Sequence, residues 1–114
     1  MKVTNLTSPR SGGKVANQFE ITDGDKSVFQ SYDTVIAIKQ GRNYTISEDY
    51  NYSNTTSKYF KQWLLDWGWR DDEVEELKKW LKKHNLGDVS TEEFNGIGGG
   101  LTIEYVSSND ILTK

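Results

Sequence analysis

Apolar and polar positions along the chain follow one period in its first half and another in its second. In "KVANQFEITD" (residues 14–23), Val15, Phe19 and Ile21 share one parity while Gln18, Glu20 and Thr22 share the other. That alternation predicts a half-buried strand. "DGD" at 23–25 supplies a turn, and "KSVFQSY" returns as a second strand. "TVIAIK" is apolar and β-branched, as a central strand requires. "QGRN" at 40–43 turns the chain again, "YTIS" forms a short strand, and an early strand fits Lys2–Leu6. These segments predict an antiparallel meander. "EDYNYSNTT" reads as an exposed loop.

The period then changes to that of a helix. Phe60, Trp63, Leu64 and Trp67 recur at i, i+3, i+4 and i+7, so Trp63 and Trp67 are expected in the core. Thr55 or Thr56 is placed to cap the start, and Gly68 to end the helix in the left-handed conformation. "DDE" opens a second helix with acids at the positive end of its dipole, and Lys82 and Lys83 close it at the negative end. Val74, Leu77, Leu81 and His84 form its stripe, with Trp80 beside them. Glu75 and Lys79 stand at i, i+4, ready to pair. "STEEF" reads as a capped helical turn, "NGIGGG" as a break, "LTIEYV" as a last strand and "SSNDILTK" as a frayed tail. The predicted architecture is α+β in a single domain, 1–114: an antiparallel meander sheet, two helices packed on one face, and a late C-terminal strand.

Composition narrows the function. Only 34% of residues are hydrophobic but 12% are aromatic, so the core must be built from a few large rings. The absence of cysteine excludes disulfides and thiolate metal sites. No apolar run resembles a signal peptide or spans a bilayer, and a soluble, intracellular protein is expected. Residues 1–47 carry six Lys/Arg against four Asp/Glu, whereas residues 48–114 carry eight against thirteen. The acidic part argues against direct contact with nucleic acid and suits a basic protein partner.

Catalytic chemistry finds no diagnostic spacing. "GIGGG" lacks the Lys–Ser/Thr of a phosphate loop and precedes a strand. His84 is the one histidine, with no orienting partner nominated by the sequence. The carboxylate pairs Glu48–Asp49, Asp71–Asp72, Glu75–Glu76 and Glu92–Glu93 are ordinary in helix starts and turns. No enzyme, cofactor or metal site is expected. Tyr50 and Tyr52, set among Asn and Ser, have the composition of contact surfaces, beside which stand packing of the loop onto the domain and stacking on nucleic-acid bases. Trp69 falls off both helical periods and is the tryptophan expected to meet a partner.

An ordered set of residues carries a resemblance. "RSGGKVANQF", "FQSY", "IA" and "TTSKYF" resemble the pattern R-S-G-x-x-V-x-N-Q-F, F-Q-S-Y, I-A, T-T-x-K-Y of small uncharacterised phage and prophage proteins. The resemblance implies a mobile-element origin and, by association, a protein that occupies a host defence complex. The function expected is non-enzymatic inhibition, an anti-CRISPR activity against a Cas nuclease being one form. The partner-binding residues expected are Trp69, Asp71, Asp72, Glu73, Glu75, Glu76, Tyr50 and Tyr52. Two alternatives stand beside it: a nucleic-acid-binding accessory protein using Arg10, Lys14 and Arg42, and a homo-oligomeric virion or assembly component.

Overall fold

A computed structural model describes residues 1–8, 10–90 and 101–112. The meander has the five strands that the periodicity predicts. Strands β1 (Lys2–Thr7), β2 (Lys14–Asp23), β3 (Lys26–Ser31), β4 (Thr34–Gln40) and β5 (Asn43–Ser47) follow one another, each antiparallel to the last. A 3-10 turn over Glu48–Asn51 leads into helix α1 (Asn54–Asp66), followed by α2 (Asp71–Lys83). The late strand β7 (Thr102–Val106) enters parallel to β5, and the two-residue β6 (Val89–Ser90) pairs with its outer side. The sheet order is β1-β2-β3-β4-β5-β7-β6. The fold is α+β. "STEEF" after Ser90, and "NGIGGG", lie outside the described residues.

One face of the sheet carries the main core. Phe29, Ala37, Tyr44, Ile46 and Ile103 project from it into a cluster with Phe60, Trp63 and Leu64 of α1 and Val74, Leu77, Trp80 and Leu81 of α2. Phe29, Phe60 and Trp63 are fully buried, with ring centroids 6.1–6.5 Å apart. Rings of this size remove enough apolar area from water to offset the low hydrophobic content.

The parity of β2 needs a correction. Glu20 is registered with the core residue Phe29, so Phe19 and Ile21 point to the sheet's other face. Val15 nevertheless packs against the main core. Asn17 reconciles the two. It holds a φ of 67°, and the β1–β2 register is irregular there, five residues of β2 passing against two of β1. This bulge switches which residues face inward. Asn5 bridges it, its Nδ2 donating to the Val15 carbonyl at 3.0 Å.

Among the described residues, a short helix covers one end of the other face. The expected frayed tail forms α3 (Ser108–Ile111), capped where Ser107 Oγ accepts from the Asp110 N–H at 3.2 Å. Ile111 is buried there with Ile38 and Val106. Among the described residues, no helix is long and apolar enough to cross a membrane.

Candidate functional site

The chain between the two helices places the tryptophans differently from their periodicity. Gly68, at φ 94°, reverses the backbone, and the Trp69 N–H reaches the Leu64 carbonyl at 3.1 Å. That tucks Trp69 inward, where it is 3% exposed and meets Tyr44 edge-on at 5.3 Å. Trp69 is therefore a core residue, not the exposed contact expected. Trp67 is the ring left at the surface, 39% exposed. Its indole N–H donates to Glu20 Oε2 at 2.7 Å, and the Lys39 ammonium lies 4.2 Å from its ring. Trp63, one turn earlier, reaches the same pair, donating to Ser27 at 3.0 Å and Glu20 at 3.2 Å. Sequence period identifies both as one helical face. It does not reveal that this face ends over a polar corner of the sheet.

Tyr50 also needs correcting. The Ser47 hydroxyl accepts from the Asp49 N–H at 3.2 Å and starts the 3-10 turn. This swings Tyr50 inward to 3% exposure, 5.8 Å from the Phe60 ring. Tyr52, two residues on, stays 80% exposed as expected.

The acids of α2 form one ridge. Val74, Leu77 and Leu81 anchor its inner face, leaving Asp71, Asp72, Glu75 and Glu76 exposed. Glu73 departs from the expectation, its side chain being 12% exposed and folded back to accept the Arg70 N–H at 2.9 Å. It caps the helix and is not free to meet a partner. The other acids have cationic neighbours. Lys61 lies 2.9 Å from Asp71, Arg70 3.4 Å from Asp72 and Lys79 3.8 Å from Glu76. The expected Glu75–Lys79 pair does not form. At such exposure these pairs contribute about 0–1 kcal/mol, so a basic surface can displace the lysines and arginine.

The strand–turn–helix corner between β3 and α1 contains a feature that side-chain periodicity does not predict. A cleft of about 470 Å³ opens there, with Tyr32, Asp33, Asp49 and Tyr52 along its walls. Its floor is tied by hydroxyls: Thr56 bonds Ser31 at 3.0 Å and Ser53 at 3.1 Å. Ser53, rather than the expected Thr55 or Thr56, caps α1, its Oγ accepting from the Thr56 N–H at 3.1 Å. Tyr32 holds a φ of 56° yet is 53% exposed. Its N–H donates to the Asn17 carbonyl at 2.6 Å, and its own carbonyl accepts from Gln30 Nε2 at 2.8 Å. Asn17, Gln18, Gln30, Ser31, Tyr32 and Thr56 of the quoted pattern thus converge on this corner. Gln18, paired with Ser31, is fully buried and its amide has no hydrogen-bond partner among the described residues. The signal available in the sequence was a tyrosine at a turn position that ordinarily takes Gly or Asn.

Arg10 and Lys14 stand at the β1–β2 connection, and Arg42 at the β4–β5 turn. The strand registers put those turns at opposite ends of the sheet. They do not form one basic surface. Among the described residues no group of three or more His, Asp or Glu is placed to hold a metal ion.

The chain belongs to a family of unknown function, DUF8033, whose family model matches residues 1–96. No curated protein and no solved structure matches it.

Proposed function

We propose that the protein is a phage-encoded, non-enzymatic inhibitor that acts in the host cytoplasm by binding a basic, nucleic-acid-handling surface of a defence complex. A CRISPR nuclease is the leading target class. The observation that supports this reading is the α2 ridge: Asp71, Asp72, Glu75 and Glu76 lie exposed on a helix whose opposite side is locked into the core. Carboxylates held on a rigid helix present an array of negative charge to which a phosphate-binding surface responds. Their pairs with Lys61, Arg70 and Lys79 are exposed and readily exchanged for those of a partner.

The test is made in cells. Bacteria carrying a panel of individual defence systems, CRISPR types included, express the chain and are challenged with a sensitive phage. Restored plating against one system, lost with Asp72→Lys/Glu75→Lys/Glu76→Lys, is the expected result. Unchanged restriction across the panel, or full rescue by the triple variant, contradicts it.

A further inference from the structure

The cleft at the start of α1 combines three properties that its structural role does not require. Its volume of about 470 Å³ lies within the range of ligand sites. Its lining includes two carboxylates, Asp33 and Asp49, and neither lysine nor arginine. Among the described residues, neither carboxylate forms an ion pair. This distinguishes the cleft from the α2 ridge, where cations neighbour three of the four exposed acids.

The third property is Tyr32. A non-glycine residue in the left-handed region costs about 1–2 kcal/mol. Core packing does not explain the choice, because 53% of the residue is exposed. Two hydrogen bonds, from its N–H to Asn17 and to its carbonyl from Gln30, clamp the strained backbone. Strain held this way fixes the backbone from which the ring projects before any ligand arrives. Tyr52, 80% exposed, lines the same cleft. The Ser31, Ser53 and Thr56 hydroxyls already bond to one another, so the floor is a polar but satisfied surface.

Two aromatic faces with two carboxylates and no competing cation suit a flat organic cation. A guanidinium takes parallel hydrogen bonds to a carboxylate and stacks on aromatic faces, whereas an ammonium does only part of this. We propose that this cleft is a receptor for an arginine side chain presented by a protein partner. Asp49 supports the assignment. Burial first, and Glu48 beside it second, hold its carboxyl above the usual range, a cost to the charged form that a bound cation would relieve. The proposal stands on the cleft and not on the α2 ridge.

The test titrates isotopically labelled protein with a triarginine peptide and, separately, trilysine, following backbone amide shifts by NMR. Triarginine should shift the amides of Tyr32–Thr34 and Asp49–Ser53. Asp33→Asn and Asp49→Asn should each weaken it about tenfold or more, as the loss of a charge-assisted hydrogen bond implies. Tyr32→Gly removes the ring while keeping a residue at ease at φ 56°, and should also weaken binding. Lys substitution of Asp72, Glu75 and Glu76 should leave these shifts in place. Shifts confined to α2, equal affinity for trilysine, or undiminished binding by the cleft variants would overturn the assignment.

Discussion

The ridge on α2 and the cleft beside Tyr32 are both built from carboxylates, yet they manage charge in opposite ways. On the ridge, Asp71, Asp72 and Glu76 have cationic neighbours at 2.9–3.8 Å, and Glu73 is used to cap the helix. In the cleft, Asp33 and Asp49 stand among tyrosines and hydroxyls. The ridge therefore attracts from a distance through charge that is exposed, mobile and screened by salt. The cleft offers a fixed shape with its counter-charge left to a ligand. Density of acid in the sequence points to the first and misses the second.

Both regions rest on the same helix layer, so the severest perturbation should remove the difference between them. Trp63→Ala deletes the largest fully buried side chain and should cost about 3–5 kcal/mol, seen as a large fall in denaturant midpoint. Loss of partner binding at one region with the other intact in this variant would show that they do not share a foundation.

Gln18 separates the two. Its buried amide, unpartnered among the described residues, lies across from Ser31, which lines the cleft. Gln18→Met should raise stability by about 1 kcal/mol or more, because a desolvated amide is replaced by an apolar chain of similar length. A destabilised variant in chemical denaturation would reveal a hydrogen-bonding role for that amide. Tyr32→Gly is expected to change stability by less than about 1 kcal/mol, relief of left-handed strain offsetting the entropy of glycine. A larger loss would place the Tyr32 ring in the structural core.

The smallest effect belongs to Asp49. Its carboxyl is raised by burial, then by Glu48. The folded state binds this proton more tightly than the unfolded chain. Its favourable contribution is therefore present below the unfolded pKa and lost as pH rises through the folded one. At neutral pH, Asp49→Asn should leave the melting temperature unchanged or slightly raised, and should flatten the pH dependence across the ordinary carboxylate range upward. A clear drop in melting temperature at neutral pH would show that the charged form stabilises the fold.

Much of the architecture was legible because periods of two and of 3.6 are written in side-chain spacing. The strands from Lys14 to Ser47, both helices and β7 follow from it. Three things escaped for local reasons. Asn17 adopts a left-handed bulge and moves Phe19 and Ile21 to the face opposite Val15, which a constant parity cannot express. Gly68 stops α1 as expected, but the reversal it makes buries Trp69 and leaves Trp67 at the surface. Ser47 and Ser107 cap short turns that carry Tyr50 and Ile111 inward, where polar neighbours suggested loops. The ridge was readable because its acids are contiguous in sequence. The cleft was not, because its residues come from β3, the β3–β4 turn, β4, the 3-10 turn and the start of α1, and meet only in the fold.

The binding proposed for the α2 carboxylates, to a basic host protein, is open to direct measurement. Immobilised wild-type chain, the Asp72→Lys/Glu75→Lys/Glu76→Lys variant and the Asp33→Asn/Asp49→Asn variant should be exposed in parallel to host lysate over a salt series, with captured proteins identified by mass spectrometry. A nucleic-acid-handling defence protein should be captured by the wild type, released as salt rises and absent from the triple variant. Equal capture by the triple variant, insensitive to salt, would contradict it.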